Sequence, residues 1–131
     1  MCGILGYFGS FSPNLLESAN RLQAHRGPDD QGVFVDSKMG IGLGHGGLSI
    51  VDPSSCGHQP MVAKGGDLSL VFNGEIYNFR ELRTDLERGG HRFSGKSDTE
   101  VLLRMYQVYG ESMLPRLNGI FAFAIWDRER R

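Results

Sequence analysis

The sequence has 131 residues, the length of one domain, and its shares of hydrophobic residues (40%) and charged residues (22%) are ordinary for a globular protein. A net charge of −1 gives no electrostatic basis for binding nucleic acid or an anionic membrane, so we expect neither as a partner. The longest apolar run, residues 120–126, is too short to span a bilayer, and the first residues lack the basic region of a signal peptide, which indicates a cytoplasmic protein.

The first half of the chain predicts one helix among strands and loops. Apolar and aromatic runs that end at glycine indicate buried strands. Ser12 followed by Pro13 is typical of a helix start, because Pro is favoured at the first helical position. In chain order we expect a strand at residues 2–8, a helix from Pro13, a polar loop at 23–32, and strands at 33–35 and 41–51.

The second half predicts two further strands and two helices. Asn78 and Ser97 are each followed three residues later by Glu, the arrangement of a capping box, so each marks a helix start. In chain order we expect a loop at residues 52–60, a strand at 68–72, a helix from Asn78, a helix from Ser97 and a strand at 121–126. Runs of strands with helices between some of them favour an α+β layered domain. A strand as the last element leaves a sheet edge unpaired, which favours truncation at the C-terminus.

Cys2 is a candidate nucleophile. When Met1 is removed, Cys2 carries a thiol and a free α-amine on one residue. Thiols and α-amines titrate within about one pH unit of each other, so the amine can accept the thiol proton directly or through a water. A small buried cysteine in a strand is the commoner fate of a lone cysteine, so position alone does not decide between the two roles.

Polar residues at the ends of predicted elements are further candidates. Asn73 and Gly74 follow a buried strand, where a side-chain amide and a backbone N–H can converge on an oxyanion, although Asn-Gly is also a common hairpin turn. Glu75 and Asp98 either bind an ammonium group or act as a solvated carboxylate and a helix-dipole partner. Arg26, in a tight loop, either acts in a site or holds the loop by an internal ion pair.

The sequence contains no convincing motif for a metal or a cofactor. The His and Cys residues have no spacing typical of a metal site, and the two cysteines are expected to be free thiols. Residues 42–47 formally match G-x-G-x-x-G, but a strand continues after them where a dinucleotide site requires a helix N-terminus. We therefore expect no metal and no cofactor in this chain.

Seven short motifs occur along essentially the whole chain. They are MCGI from residue 1, HRGPD from 25, LSIVD from 48, GHQPM from 57, FNGEIYN from 72, SDTE from 97 and FAFA from 121. In this order and spacing they resemble the glutaminase domain of class II (N-terminal nucleophile) glutamine amidotransferases. The HRGPD and NGEIYN motifs point to the asparagine synthetase type rather than to the sugar-phosphate or purine-pathway enzymes.

This resemblance implies a four-layer αββα sandwich of the N-terminal nucleophile hydrolase type, with two facing sheets between helices. It implies that residues 1–131 are the N-terminal portion of a glutaminase domain, apparently truncated, and that the synthetase domain, which would use ATP and Mg²⁺, is absent from this chain. The implied partners are glutamine as substrate and the synthetase domain of the same parent protein. A homodimer is left open.

The resemblance also implies a chemistry centred on Cys2. Its thiol attacks the side-chain amide of glutamine, which releases ammonia and leaves a thioester, and water then releases glutamate. Asn73 and Gly74 are implied to form the oxyanion hole. The ammonia is implied to pass to aspartate for asparagine synthesis.

Five further positions are implied to contact or support the substrate. Glu75 and Asp98 hold the α-ammonium group of glutamine, and backbone groups near Ile50 and Val51 line the pocket. Arg26 resembles a supporting residue of the same site.

One departure from the family pattern concerns residues 45–48, which read HGGL where the family has His-x-Arg-Leu. The family Arg pairs with the α-carboxylate of glutamine, and Gly47 stands in its place. Loss of a charge-assisted hydrogen bond costs about 1.5–3 kcal/mol, or roughly 10- to 150-fold in binding. We therefore expect weak glutamine binding with the chemistry of Cys2 intact.

Two alternatives stay open beside this interpretation. In the first alternative, the chain is a non-catalytic module that keeps the fold as a docking or regulatory surface. Retention of Met1 would favour this alternative. Alternatively, the chain supplies ammonia to another acceptor, such as a sugar acid or a β-lactam precursor.

Overall fold

The computed structural model describes residues 2–47 and 57–130 of the chain. The elements in these ranges are β1 (Gly3–Phe8), α1 (Pro13–Leu22), β2 (Asp30–Asp36), β3 (Ile41–Gly47), β4 (Met61–Val62), β5 (Leu68–Ile76), α2 (Phe79–Arg88), α3 (Asp98–Tyr109), a 3₁₀-helix (Gly110–Arg116) and β6 (Gly119–Asp127). None of the helices in the described ranges is long and apolar enough to cross a membrane.

The strands form two antiparallel sheets of three strands each. The first sheet has the order β1-β3-β2, and the second has the order β4-β5-β6. The sheets face each other, because β1 and β3 both contact β5. Helix α1 packs on the first sheet, while α3 packs on β5 and against α2. The layers therefore run helix, sheet, sheet, helix, which confirms the predicted αββα sandwich.

Alternate side chains of β5 contribute to two separate apolar clusters. Leu70, Phe72 and Ile76 pack against α2 and α3 in the larger cluster. Val71 points the other way and packs between the sheets with Leu43 of β3. Full burial of an aliphatic side chain such as Leu70 stabilises the fold by about 1.5–3 kcal/mol. Residues 68–72 of β5 are therefore buried on both faces, which explains their nearly continuous apolar sequence.

Several predicted boundaries of the strands were wrong. Strand β1 begins at Gly3 rather than at the second residue, and β2 begins at Asp30, inside the predicted polar loop. Strand β5 does not stop at residue 72 but continues to Ile76, with Asn73 opposite Ala122 of β6. The pairing with β6 overrides the low strand propensity of Asn and Gly, so the hairpin alternative for this dipeptide is wrong.

The helix caps were predicted with mixed success. The Ser12 side chain accepts a hydrogen bond of 3.3 Å from Asn14 N–H, and Ser97 accepts one of 3.2 Å from Glu100 N–H, as expected of N-caps. The Asn78 side chain does not cap α2. Its amide donates to the Arg116 carbonyl oxygen at 2.9 Å, so it joins the start of α2 to the end of the 3₁₀-helix.

The second half of the predicted capping box at Ser97 is also replaced by another contact. The Glu100 carboxylate reaches the backbone N–H groups of Ser94 and Gly95, at 2.8 and 2.7 Å. These two bonds hold the loop that leads into α3. Since Asp98 is the first residue of α3, they also help to fix its position.

Candidate functional site

Cys2 lies directly before β1, half-buried and with a free thiol. Gly3 pairs with Gly46, so Cys2 lies beside the Gly47 end of β3. Ile4, two residues further on, packs between the two sheets. Because side chains alternate along a strand, the pattern of β1 places Cys2 on this same inward face.

Two predicted site residues lie on the inward face of β5. Asn73 and Glu75 follow Val71 at intervals of two, and Val71 packs between the sheets. Asn73 is half-buried and Glu75 is exposed. The inward faces of β1 and β5, which contact each other, therefore carry Cys2 on one sheet and these two side chains on the other.

Gly74 occupies a position in β5 that only glycine fits. Its φ of +148° is a conformation that side chains rarely adopt. A Cβ at this position would overlap the carbonyl oxygen of Ile120 on β6. The backbone of Gly74 is thus held close to the neighbouring strand, next to Asn73.

Asp98 is joined to the end of β5. Its Oδ2 accepts a hydrogen bond of 3.1 Å from Ile76 N–H. Burial raises the pKa of the Asp98 carboxyl, the hydrogen bonds from the Ile76 and Thr99 backbone oppose this, and the charge of Glu75 raises the pKa further. The interaction with Glu75 indicates that the two predicted ammonium-binding carboxylates lie within electrostatic reach of each other.

The loop that contains Arg26 rests on the end of β3. Arg26 N–H donates to the Gln23 carbonyl oxygen at 2.8 Å, and Asp29 N–H donates to the Gly47 carbonyl oxygen at 3.1 Å. A Cβ at Gly27 would overlap the backbone of residues 46 and 47, so the loop and strand approach too closely for any side chain. Among the described ion pairs, none joins Arg26 to Asp29. The loop is held by backbone contacts, next to the end of β3 that flanks Cys2.

The predicted contribution of Ile50 and Val51 lies outside the described residues. Of the other six predicted site residues, Asn73, Gly74, Glu75 and Asp98 are grouped at the end of β5. Cys2 and the loop of Arg26 lie at the Gly47 end of β3 in the first sheet. The described residues hold no group of three or more His, Cys, Asp or Glu side chains suited to a metal ion.

Gln59 is a buried polar residue to which the sequence analysis gave no role. Its Oε1 accepts a hydrogen bond of 2.6 Å from Phe72 N–H, and its Nε2 lies 3.5 Å from the Thr99 hydroxyl. It thereby joins the residue before Asn73 to the residue after Asp98. The GHQPM motif contains Gln59. Hydrophobic periodicity, however, cannot show that a glutamine side chain accepts a hydrogen bond from the backbone of a strand.

Asn20 is a second residue that the sequence analysis missed. It is buried on α1 and donates to the carbonyl oxygens of Gly32 and His45, at 3.3 and 3.1 Å. Its Oδ1 accepts from Gln23 Nε2 at 2.8 Å. These bonds fix α1 against β2 and β3, beneath the sheet that positions Cys2.

His45 lies on β3 and is buried, with 3% of its surface exposed. Its burial lowers the pKa to about 4, while the charge of Asp30 opposes and that of His58 reinforces this shift. Asp30 and His58 pair with each other at 2.9 Å. The His45 imidazole is therefore neutral at physiological pH.

Comparison with known proteins places these features in a family. The sequence profile of the family described as the glutamine amidotransferase domain matches residues 1–131. The chain is 41% identical over 135 residues to asparagine synthetase [glutamine-hydrolyzing] 1 of Bacillus subtilis, and 39% identical over 133 residues to asparagine synthetase [glutamine-hydrolyzing] 2 of Oryza sativa. It is also 40% identical over 116 residues to amidase chry2 of Gibberella zeae.

These relatives are much longer than the chain. The matches cover 98%, 97% and 88% of this chain but 21%, 22% and 17% of the respective relatives. The chain thus spans about a fifth of the length of the curated relatives it matches.

A solved structure gives independent support for the fold. The glutamine phosphoribosylpyrophosphate amidotransferase of B. subtilis superposes with a TM-score of 0.77 at 20% sequence identity, over 98% of this chain and 35% of that one. At this identity the likeness concerns the fold. The family profile, which matches every residue, confirms the resemblance found in the motifs: this chain belongs to the glutamine amidotransferase domain family.

Proposed function

We propose that this domain hydrolyses the side-chain amide of glutamine to glutamate and ammonia, with Cys2 as the nucleophile. One observation carries the proposal most directly. Ile4 and Val71 pack between the sheets, and strands β1 and β5 contact each other, so alternation places Cys2 and Asn73 on the inward faces of two different sheets. A substrate carbonyl between the sheets would then meet a nucleophile from one side and an amide donor from the other.

The proposed first step forms a thioester on Cys2. After removal of Met1, the α-amine takes the thiol proton and the sulfur attacks the carboxamide carbon. The side-chain amide of Asn73 and the backbone N–H of Gly74 donate hydrogen bonds to the oxyanion that develops. When the C–N bond breaks, the α-ammonium returns the proton to the departing nitrogen, and ammonia leaves.

The second step regenerates the enzyme. Water, deprotonated by the same α-amine, attacks the thioester carbon, the C–S bond breaks, and the proton returns to the sulfur. Glutamate is released. Because one residue supplies both nucleophile and base, no histidine is required in the cycle.

Substrate binding in this proposal follows the charges at the end of β5. Glu75 and the buried Asp98 form an acidic pair suited to the α-ammonium group of glutamine. The backbone near Ile50 and Val51 lines the pocket, and Arg26 supports the site from the loop on β3. The Ile76 N–H that binds Asp98 orients the carboxylate without neutralising it.

The proposed destination of the ammonia is asparagine synthesis from aspartate. Relatives that match nearly the whole chain are named glutamine-hydrolysing asparagine synthetases, and they are about five times its length. We infer that residues 1–131 are the N-terminal portion of the glutaminase domain and act with a synthetase domain that uses ATP and Mg²⁺. Delivery of ammonia to another acceptor is the second candidate, because one relative, amidase chry2, does not carry the name asparagine synthetase.

A turnover assay tests the glutaminase proposal. Ammonia and glutamate release from glutamine is measured for the purified protein, for Cys2→Ala and for Cys56→Ala, which removes the other thiol as a matched control. We expect release to fall to background in Cys2→Ala alone. Unchanged turnover in Cys2→Ala refutes the mechanism, and no turnover in any of the three proteins favours the non-catalytic module.

A further inference from the structure

His45 carries two buried nitrogen atoms that the proposed mechanism does not use. Neither Nδ1 nor Nε2 has a hydrogen-bond partner among the residues that the structure describes. The contact with Asn20 involves the backbone carbonyl of His45 and leaves the ring free. An unsatisfied buried polar group costs about 1–3 kcal/mol, and native proteins contain few of them. The cost is understandable if the ring is reserved for a ligand.

The ring points into the space between the sheets. Leu43, two residues earlier on β3, packs in the cluster between the sheets, so His45 lies on the same inward face. His45 is directly opposite Ile4 of β1, which belongs to the same cluster. Cys2 is two residues before Ile4. The imidazole and the thiol therefore share one face of two neighbouring strands.

The ring also extends toward the end of β3 that flanks Cys2. A Cβ at Gly47 would lie 2.5 Å from the Cε1 atom of His45, so the ring occupies the space that a side chain at position 47 would need. The absence of a side chain at Gly47 is what gives the imidazole this position. The His45 imidazole thus lies at the Gly47 end of β3.

The charges around the ring indicate which part of an amino acid it would meet. The charge of Asp30 on β2 acts on His45, but Asp30 is paired with His58, which lies between β3 and β4. Of the acidic pair, Glu75 lies on β5 of the opposite sheet, and Asp98 lies at the start of α3 beside the end of β5. An amino acid whose ammonium group is held by that pair directs its carboxylate away from it, toward the first sheet.

We propose that His45 contacts the substrate, with a ring N–H that donates a hydrogen bond to the α-carboxylate of glutamine. The inference rests on the proposed glutaminase function and adds the residue that recognises the carboxylate end. A bond from a neutral imidazole to a carboxylate satisfies one of the two orphaned ring nitrogens. Glutamine binding thereby removes part of the cost of burying the ring.

Truncated substrates test the contact. Glutamine is compared with 4-carbamoylbutanoic acid, which lacks the α-amine, and with 4-aminobutanamide, which lacks the α-carboxylate. For His45→Leu we expect kcat/KM to fall roughly 10- to 150-fold with the two substrates that keep the carboxylate, the range of one hydrogen bond to a charged group. With 4-aminobutanamide we expect a change below about twofold. His91→Leu, at the far end of α2, is the control and leaves all three values unchanged.

Two outcomes overturn the inference. Unchanged kcat/KM for glutamine in His45→Leu shows that the ring is a packing residue, and an equal fall with all three substrates shows that it supports the fold or the chemistry instead. If His45→Leu fails to fold, His45→Phe keeps an aromatic ring without an N–H donor and is measured in the same way.

A binding measurement separates this inference from the proposed function. Calorimetry of glutamine with Cys2→Ala detects the contact without the reaction, and adding His45→Leu to that variant lowers affinity by the same 10- to 150-fold. Absence of both turnover and binding in the unsubstituted protein refutes the glutaminase proposal together with this inference. Glutamine binding that is insensitive to His45→Leu refutes only the role of His45.

Discussion

The carboxylate of Asp98 accepts a hydrogen bond of 3.1 Å from the backbone N–H of Ile76, which joins the first turn of α3 to the end of β5. The bond places a buried acid beside the strand that carries Asn73 and Gly74. It also leaves the acid in an environment where burial and the charge of Glu75 raise its pKa. The same carboxylate therefore orders the site, while its ionisation costs more in the folded state than in the unfolded chain.

We expect Asp98→Asn to separate these two effects. The amide oxygen still accepts from Ile76 N–H, while the charge that would attract an ammonium group is lost, so KM for glutamine rises roughly 10- to 150-fold. Because the pKa of Asp98 is raised, its contribution to stability is present below the ordinary Asp value of 3.8 and is lost as pH rises through the folded value. Urea unfolding at pH 7 should therefore find Asp98→Asn at least as stable as the unsubstituted protein.

Asp98→Ala is the matched control, because it removes the acceptor as well as the charge. It leaves Ile76 N–H buried and unsatisfied, and we expect a loss of about 1–3 kcal/mol in the free energy of unfolding. If Asp98→Asn is destabilised at pH 7 as much as Asp98→Ala, the hydrogen bond to Ile76 is not the contact that matters.

A pair of glycines tests whether the Arg26 loop is held by close backbone contact. A Cβ at Gly27 would overlap the carbonyl oxygen of Gly46, whereas a Cβ at Gly46 would have its nearest contact at 3.4 Å. We expect Gly27→Ala to cost about 1–3 kcal/mol, as overpacking does, and Gly46→Ala to cost less than about 1 kcal/mol. Thermal unfolding of the two variants gives the comparison, and equal melting temperatures would count against the close approach.

Position 47 tests the departure from the family pattern. Gly47→Arg adds a Cβ that displaces the His45 ring, but it also adds a guanidinium group that can pair with the α-carboxylate of glutamine in two parallel hydrogen bonds. We expect the guanidinium to outweigh the lost His45 contact and to lower KM for glutamine. Gly47→Ala adds only a Cβ, which displaces the His45 ring, and we expect a higher KM. Steady-state kinetics distinguish the two, and a similar change in both variants would show that the charge at position 47 is not read.

The burial of His45 predicts that the free energy of unfolding decreases at acid pH. Its pKa falls from 6.5 to about 4 in the folded state, so the unfolded chain binds more protons between these values. Stability is then fully present above pH 6.5 and decreases by about 3 kcal/mol as pH falls to 4. In His45→Leu this part of the decrease should vanish. Urea unfolding at pH 7 and pH 4.5 measures it, and an identical pH dependence in both proteins contradicts a buried neutral imidazole.

Sequence reasoning succeeded where the signal is local. The Ser12 and Ser97 caps and the apolar stripes of the helices depend on residues within one or two turns. It failed where the decisive contact comes from a distant segment. Strand β5 continues through Asn73 because β6 pairs with it. The Asn78 side chain donates to the last residue of the 3₁₀-helix instead of capping α2.

For the candidate site, too, sequence motifs predicted some residues, while contacts between distant segments revealed others. The order and spacing of the motifs predicted roles for Cys2, Asn73 and Asp98, and these roles stay predictions. Gln59 and His45 were missed as functional candidates. The hydrogen bond from β5 to Gln59 and the lack of ring partners for His45 among the described residues can be recognised only in the folded structure.

In the proposed mechanism, the sulfur and the free amine of Cys2 act together on a carboxamide. The most direct measurement treats the purified protein with a glutamine analogue that carries an electrophilic carbon in place of the amide, and locates the adduct by intact mass and peptide mapping. We expect a single adduct on Cys2 in a chain that lacks Met1. Retention of Met1, or labelling of Cys56 in place of Cys2, would contradict the account.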